Sequence, residues 1–215
     1  MKLLSADFVT SAAAGGRADG IPRDGIGQIA VAGRSNVGKS SLLNALCRRS
    51  IARTSAAPGK TRLANIFKVT LEGGGGTGPG RWSVYLVDLP GYGYARGGSE
   101  SSRELAAVAA AYFDTAWDVA RPDTPHATLH LVDARHPGLD SDVDAARWLD
   151  SVGAARHLVA TKIDKLSRSE RGRSLKELER VFGTAALPVS ATSGEGLDEL
   201  WRLIARLARA PEKPR

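Results

Sequence analysis

Short apolar runs alternate along the chain with longer amphipathic segments. Six runs have the length and the β-branched content of strands. They are Gln28–Ala32, Leu63–Leu71, Arg81–Val87, His126–Val132, His157–Thr161 and Leu187–Val189. Other segments carry apolar residues at helical spacing. These are Ser41–Leu46, Arg103–Thr115, Ser141–Ser151, Ser169–Phe182 and Leu197–Ala208.

This alternation predicts the fold class. Strands that alternate with helices form a mainly parallel sheet with helices on both faces, which is a three-layer α/β sandwich. We expect six strands, one of them an antiparallel edge strand, because Leu63–Leu71 and Arg81–Val87 read as a hairpin. Its tip, the glycine-rich residues 73–80, is expected to be long and mobile. Ligands of such sheets bind at the carboxyl ends of the strands.

Length and composition fit one domain. With 215 residues, 42% of them hydrophobic, the chain can bury one core. We expect an N-terminal extension over 1–24, a single domain over 25–209 and a basic tail over 210–215. No apolar run reaches the roughly 18 residues that cross a bilayer, and the start lacks the apolar core of a secretory signal. The sequence therefore predicts a soluble, cytoplasmic protein without a membrane partner, and the single Cys47 suits a reducing compartment. It does not indicate the oligomeric state, for which a monomer is the default expectation.

Charge is unevenly distributed along the chain, whose net charge is +7. Residues 25–71 contain no acidic side chain and eight basic ones: Arg34, Lys39, Arg48, Arg49, Arg53, Lys60, Arg62 and Lys68. Residues 82–164 contain seven basic and twelve acidic side chains, a balance of −5. A polyanion would respond to this asymmetry. Part of the basic excess would serve a bound nucleotide. The alternative to a polyanion partner is that the Arg-rich and Ala-rich composition reflects coding bias.

The first chemical motif lies between a predicted strand and a predicted helix and fits G-x-x-x-x-G-K-S. In this motif glycines let backbone amides wrap phosphates, Lys39 neutralises the outer phosphates, and the Ser40 hydroxyl binds magnesium. The sequence therefore predicts a P-loop nucleotide-binding site. Its predicted residues are Gly33, Arg34, Ser35, Asn36, Val37, Gly38, Lys39, Ser40 and Ser41.

Two further loops would complete the part of the predicted site that binds the phosphates and magnesium. Asp88 ends an apolar strand and is placed to hold magnesium through water, while the amide of Gly91 can meet a γ-phosphate. Thr61 would contact magnesium when a γ-phosphate is present. The predicted nucleotide-binding residues here are Gly59, Lys60, Thr61, Asp88, Leu89, Pro90 and Gly91. The predicted catalytic residues are Lys39, Thr61 and Gly91, and the predicted magnesium ligands are Ser40, Thr61 and, through water, Asp88.

The choice of base rests on Thr161-Lys162-Ile163-Asp164. A carboxylate can accept hydrogen bonds from N1–H and the exocyclic amino group of guanine, whereas adenine offers no such pair of donors. Lys162 would lay its aliphatic stem along the base, and Ser190-Ala191 would offer a backbone amide to guanine O6. The predicted base-binding residues are Thr161, Lys162, Asp164, Ser190, Ala191 and Thr192.

Taken together, these motifs resemble the EngB (YsxC/YihA) family among the TrmE-Era-EngA-EngB-Septin-like P-loop GTPases. The matching segments are Gly33–Leu46, Ala52–Thr61, Asp88–Ala95 and Thr161–Leu166. The most family-specific part is Tyr92-Gly93-Tyr94. The resemblance implies a Ras-like fold, binding of GTP and GDP with Mg²⁺, GTP hydrolysis, and a role in maturation of the large ribosomal subunit. The chain departs from the family at Arg62, where many members have glutamine, and over 114–125.

Two positions bear on hydrolysis. Ras-like enzymes orient the attacking water with a glutamine just after Asp-x-x-Gly, but this chain has Tyr92, which lacks an amide. We therefore predict slow intrinsic hydrolysis that a partner accelerates. Asn36 stands where Ras-type proteins have glycine, and related potassium-dependent GTPases use an asparagine here to hold K⁺ beside the phosphates. The alternative is that Asn36 only stabilises the turn of the loop.

Three functions are consistent with this sequence. The first is a GTP-controlled assembly factor that contacts rRNA and proteins of the large-subunit precursor. The second is a Ras-like switch acting on protein effectors without ribosome binding, although the tail 211–215 has no cysteine for a lipid anchor. The third is an RNA-binding module with a vestigial pocket, against which the intact Lys39, Ser40, Thr61 and Asp88 argue.

Overall fold

The computed structural model describes residues 1–12, 21–52, 63–73, 80–92, 107–114 and 126–209. Within these ranges seven strands form one sheet in the order β1-β3-β4-β2-β5-β6-β7. The strands are β1 (Lys2–Ala12), β2 (Gln28–Gly33), β3 (Ala64–Glu72), β4 (Arg81–Asp88), β5 (His126–Asp133), β6 (Arg156–Thr161) and β7 (Leu187–Pro188). The helices are α1 (Lys39–Cys47), α2 (107–114), α3 (Asp140–Ser151), α4 (Arg168–Phe182) and α5 (Leu197–Leu207).

The mainly parallel α/β sheet is confirmed, but the expected strand count of six is wrong for the described residues. β3 runs antiparallel to both of its neighbours, β1 and β4, and the other pairings are parallel. We expected the antiparallel strand to lie at the edge of the sheet, but β3 lies between two other strands. β1, which lies inside the predicted N-terminal extension, covers it.

Irregular pairing explains why the sequence pattern does not predict β1. Its register against β3 shifts between Leu3 and Ser5 and again between Phe8 and Thr10. Each shift interrupts the alternation of inward and outward side chains on which strand prediction depends. Ala6 is buried, whereas Phe8 is 58% exposed.

Helices cover both faces of the sheet, as the three-layer prediction requires. On one face α1 and α5 pack on the central strands, with Leu42, Leu43 and Ile204 at most 2% exposed. On the other face lie α2, α3 and α4, represented by Phe113, Leu149 and Leu178 respectively. Burying each such side chain contributes on the order of 2 kcal/mol. The described residues contain no helix long and apolar enough to span a membrane.

The carboxyl ends of four neighbouring parallel strands meet at one rim of the sheet. In the register of the sheet Val31 pairs with Asp88, Gly33 with Leu131, and Asp133 with Thr161. The loops that carry the predicted motifs therefore start close together. The expected mobile tip of the hairpin falls mostly on 74–79, outside the described residues.

Candidate functional site

The loop between β2 and α1 has the backbone of a phosphate cradle. Gly38, which directly precedes α1, has φ 109°, a value that L side chains rarely adopt. Asn36 also has positive φ, 63°. Within the described residues no side chain caps the start of α1. Its first amides are therefore open to an anion, which the positive end of the helix dipole also favours.

Lys39 is 8% exposed and folds back over this loop. Its Nζ donates to the carbonyl oxygens of Gly33 at 2.9 Å and Arg34 at 3.4 Å. Burial lowers the pKa of Lys39, and the negative charge of Asp88 opposes that effect. The ammonium group is therefore held in place by backbone carbonyls before any phosphate binds.

Asp88 lies at the end of β4 and is 2% exposed. Burial raises its pKa to about 6, although the positive charge of Lys39 counteracts this. Its Oδ1 atom has no hydrogen-bond partner among the described residues. A buried carboxylate oxygen without a partner is costly, and a hydrated cation would complete it. The carboxylate therefore fits magnesium binding, and Ser40 at the start of α1 can add a hydroxyl ligand.

The loop after β4 packs directly on the phosphate loop. The backbone amide of Ser35 donates to the carbonyl of Tyr92 at 2.8 Å, and Tyr92 forms a parallel bridge with Arg34. A Cβ at Gly91 would lie 2.9 Å from Lys39 Nζ and 3.0 Å from Ser35 Oγ. The Gly91 backbone therefore lies directly beside the lysine that is predicted to bind the outer phosphates.

The Tyr92 side chain points into the protein. Its hydroxyl donates to Asp142 Oδ1 at 3.0 Å and lies 2.7 Å from His130 Nε2. Burial is the main reason that the pKa of Tyr92 is raised. A side chain held in this way does not orient water in the pocket, in agreement with the reasoning from its missing amide group.

The lysine-containing loop after β6 is tied to the phosphate loop. The Thr161 hydroxyl donates to the Val37 carbonyl at 2.8 Å, with the Val132 carbonyl at 3.1 Å. Lys162 has φ 60°, and its Nζ donates to the Asn36 carbonyl at 2.6 Å. The predicted base-binding and phosphate-binding loops are therefore in direct contact.

Asp133, at the end of β5, joins these loops electrostatically and is fully buried. It accepts hydrogen bonds from Arg135 at 2.7 and 2.9 Å and from Lys162 at 2.9 Å, and Arg34 Nη2 lies 3.6 Å away. Burial alone would raise the pKa of Asp133, but the hydrogen bonds from Arg135 and Lys162 outweigh it and lower that pKa. The side chain of Arg34 thus faces buried acids, and its carbonyl is the group that meets Lys39.

Asp164 is held as a carboxylate by the loop after β7. The Ser190 hydroxyl donates to Asp164 Oδ1 at 2.7 Å, and this bond is the main reason that the pKa of Asp164 is lowered. The same hydroxyl oxygen accepts from the amides of Thr192 at 3.2 Å and Ser193 at 3.0 Å. The second carboxylate oxygen, Oδ2, lies 3.5 Å from Lys165 Nζ, and the side chain is 16% exposed. A base that bound here would share this oxygen with Lys165.

One arginine links the two predicted base-binding loops. Arg171 on α4 forms an ion pair with Glu195 and extends Nη2 to within 3.4 Å of the Ile163 carbonyl. The Ser190 amide donates to the Glu195 carbonyl at 2.9 Å. Of the two amides predicted to meet guanine O6, that of Ser190 is therefore already used, and the prediction narrows to that of Ala191.

The structure describes nineteen of the predicted residues, and the contacts above join the loops that carry them. These residues are Gly33, Arg34, Ser35, Asn36, Val37, Gly38, Lys39, Ser40, Ser41, Asp88, Leu89, Pro90, Gly91, Thr161, Lys162, Asp164, Ser190, Ala191 and Thr192. The predictions for Gly59, Lys60 and Thr61 lie outside the described residues. Sequence reasoning missed the supporting residues His130, Asp133, Arg135, Asp142 and Arg171. The position of Asp133 at the end of an apolar strand is the signal that could have identified it.

Comparison with known proteins agrees with this site. The profile of the family described as 50S ribosome-binding GTPase matches residues 28–162. The probable GTP-binding protein EngB of Anaeromyxobacter sp. strain K is 41% identical over 212 residues, covering 97% of this chain and 93% of that protein.

Solved structures agree on the fold. A crystal structure of a probable GTP-binding protein EngB superposes with a TM-score of 0.59 at 21% identity, covering 84% of this chain and 98% of that one. Era in complex with MgGDPNP and nucleotides 1506–1542 of 16S ribosomal RNA gives a TM-score of 0.64 at 22% identity, covering 88% of this chain and 58% of Era. The predicted P-loop GTPase fold class is confirmed.

Proposed function

The chain belongs to the EngB family of GTP-binding proteins and is a GTPase, and from this premise we propose that it is a nucleotide-controlled assembly factor for the large ribosomal subunit. GTP would favour its binding to the precursor particle, and hydrolysis would release it. Support comes from the family profile, which is described as 50S ribosome-binding GTPase and matches residues 28–162.

One observation carries the proposed control by a partner. Tyr92 stands where a water-orienting glutamine would be, and its hydroxyl is bound to Asp142 instead of facing the nucleotide. Intrinsic hydrolysis should therefore be slow, as it is for Ras, which turns over at about 10⁻⁴ per second even with its glutamine. Docking on the particle would then supply or position the missing water-orienting group and speed hydrolysis.

The residues around the phosphates have separate tasks in this proposal. Lys39 neutralises the outer phosphates, and the Gly91 amide reads the γ-phosphate. Magnesium would be held by Ser40 and, through water, Asp88, with Thr61 added in the GTP state, and it would offset the charge of the phosphates. Asp164 selects guanine because it is kept ionised by Ser190.

A second hypothesis about the same reaction is that Asn36 helps to hold a potassium ion beside the phosphates. The φ of 63° at Asn36 is a conformation that asparagine adopts more readily than most residues, so the turn alone can account for its identity. GTP turnover in KCl and in NaCl at equal ionic strength separates the two explanations. Faster turnover in KCl supports the cation site, and equal rates reject it.

Exposed basic residues support contact with a polyanion. Of the eight basic residues between 25 and 71, Arg34 and Lys39 face the interior of the site. Arg48 and Arg49 are exposed, and the side chain of Lys68 is 40% exposed. Arg48 and Arg49 would therefore face rRNA, whereas Lys68 lies 4.0 Å from Asp24 Oδ2. Arg53, Lys60 and Arg62 lie outside the described residues.

GTP turnover with and without purified large-subunit precursor particles tests the proposal. We expect slow turnover of the isolated protein and a clear acceleration by the particles. A rate near one per second without any partner would contradict control by the particle. Unstimulated slow turnover, together with stimulation by a protein fraction free of ribosomes, would favour the Ras-like switch that acts on protein effectors.

A further inference from the structure

Three separate elements meet at the hydroxyl of Tyr92. Tyr92 belongs to the loop after β4, His130 to β5 and Asp142 to the first turn of α3. The hydroxyl oxygen lies 2.7 Å from His130 Nε2, and the hydroxyl donates to Asp142 Oδ1 at 3.0 Å. Both partners are completely buried. A single phenol oxygen therefore fixes the end of the described loop against two rigid elements.

The protons of this cluster can be assigned. A phenol hydroxyl has one proton, and here it donates that proton in a hydrogen bond to Asp142 Oδ1. Burial is the main reason that the pKa of His130 is lowered, to about 3, so its imidazole is neutral. The Nε2–H tautomer then donates to the phenol oxygen, as the hydrogen-bond network requires. The His130 ring also packs edge-on against Phe182, 5.8 Å away, and Asp142 lies in the first turn of α3. Both partners are therefore held by contacts that do not involve the Tyr92 loop.

Asp142 also holds the phosphate loop. Its second carboxylate oxygen, Oδ2, lies 3.8 Å from Arg34 Nε. Arg34 and Tyr92 are paired through their backbones, and the Ser35 amide donates to the Tyr92 carbonyl. The phosphate loop and the loop after β4 are therefore joined twice, by backbone pairing and by one shared carboxylate.

This arrangement fixes the residue that precedes Tyr92. Gly91 approaches Lys39 and Ser35 so closely that a Cβ there would lie 2.9 and 3.0 Å from their polar atoms. Because adjacent residues share a peptide plane, fixing Tyr92 limits where the Gly91 backbone can lie. The anchor is thus one residue away from the amide assigned to the γ-phosphate.

We propose that Tyr92 is a positioning residue whose hydroxyl, held by Asp142 and His130, keeps Gly91 beside Lys39 where the γ-phosphate is read. The inference rests on the proposed reading of the γ-phosphate by Gly91. GDP lacks that phosphate, so the hydroxyl matters for GTP and not for GDP. Without it, binding of GTP has to order the loop first, which costs affinity.

Tyr92→Phe tests this, since it removes the hydroxyl and keeps the ring. Affinities are measured for GDP and for a non-hydrolysable GTP analogue with Mg²⁺, and hydrolysis is followed in single turnover at saturating GTP. We expect the analogue to bind about tenfold more weakly and hydrolysis to slow by a similar factor, as for one lost hydrogen bond to a charged group. GDP affinity should change by less than about twofold.

Tyr85→Phe is the matched control. The Tyr85 hydroxyl also donates to an aspartate, Asp24 Oδ2 at 2.8 Å, but it lies on β4 away from the pocket. This variant loses the same type of bond, and the ratio of its affinity for the GTP analogue to its affinity for GDP should stay at the wild-type value. Any general effect of deleting a phenol hydroxyl is thereby subtracted.

A second variant checks the role of the carboxylate. Asp142→Ala should reproduce the selective loss of affinity for the GTP analogue, and Asp142→Asn, which retains an acceptor for the hydroxyl, should restore part of it. In the Tyr92→Phe background Asp142→Ala should add little further selectivity, because the contact of Asp142 that remains, with Arg34, acts on the phosphate loop that GDP and the analogue share. Equal losses for GDP and the analogue, or an unchanged ratio in Tyr92→Phe, overturn the proposal. Failure of the wild-type protein to bind GDP would instead overturn the nucleotide-binding function itself.

Discussion

The base side and the phosphate side of the pocket hold their carboxylates in opposite ways. Asp164 on the base side is partly exposed, and the Ser190 hydroxyl keeps its pKa lowered. Asp88 on the phosphate side is buried, its pKa is raised to about 6, and one of its oxygens has no hydrogen-bond partner among the described residues. The base side is thus ready for a neutral base, whereas the phosphate side contains a charge that a cation would complete.

The difference suggests a division of tasks. The base and its contacts are the same in GDP and GTP, so the base side should decide which nucleotide base binds. The γ-phosphate distinguishes the two states, so the phosphate side should decide which state is recognised. The two sides are joined at Asp133, which accepts from Lys162 and lies 3.6 Å from Arg34.

The largest expected effect is a change of base preference in Asp164→Asn. An asparagine amide offers one donor and one acceptor where guanine needs two acceptors, but it can donate to the C2 carbonyl of xanthine. GDP and a GTP analogue should both bind about 100-fold more weakly, and xanthosine diphosphate should bind more tightly than it does to wild type. Competition titration with the three nucleotides measures this.

Asp144→Asn is the control for that substitution, because the Asp144 side chain is 73% exposed on α3 and pairs only with Arg147 among the described residues. It should leave all three affinities unchanged. If Asp164→Asn weakened the GTP analogue much more than GDP, the division between base and phosphate sides would be wrong.

The next largest effect is expected at the junction, which is Asp133 with the basic side chains around it. Asp133→Asn should lower the free energy of unfolding by about 3 kcal/mol at pH 7. The substitution removes the negative charge that compensates Lys162, Arg135 and Arg34. The pKa of Asp133 is lowered in the folded protein, so its contribution is present above the unfolded value of about 3.9 and is lost as the pH falls through the folded pKa.

Urea unfolding of the nucleotide-free protein measures this effect at pH 7 and at the lowest pH at which both proteins remain folded. The difference between wild type and Asp133→Asn should become smaller on acidification. A difference that grows as the pH falls would show that the charge of Asp133 is not what stabilises the junction.

A small effect is expected at the support of the base side. Arg171→Ala removes the link between Glu195 and the Ile163 carbonyl, so both base-binding loops become less constrained. Because the arginine is 28% exposed and its partner 50%, affinity should fall only about threefold, and equally for GDP and the GTP analogue.

Arg180→Ala provides the comparison for Arg171. Arg180 forms the same kind of pair with Glu177 on α4, with its side chain 72% exposed, and it should not alter either affinity. Isothermal titration of both variants with both nucleotides makes the test. A loss confined to the GTP analogue in Arg171→Ala would place this arginine on the phosphate side.

Local motifs made much of this site predictable. Lys39 and Asp164 each lie in a short motif whose chemistry is complete within a few residues, and the strand and helix around Lys39 follow from apolar periodicity. The supporting contacts are different because they join distant segments. Tyr92 and Asp142 are separated by 50 residues, and Lys162 and Asp133 by 29. No short motif encodes such pairs, and the two irregularities in β1 likewise remove the alternation that would have predicted it.

Sedimentation of the protein with large-subunit precursor particles tests the central claim most directly. It is carried out with a GTP analogue, with GDP and without nucleotide, each at low and moderate salt. The protein should sediment with the particles in the presence of the GTP analogue, GDP should release it, and salt should weaken the association. Equal sedimentation in all three nucleotide conditions, or none in any, would contradict a nucleotide-controlled assembly factor.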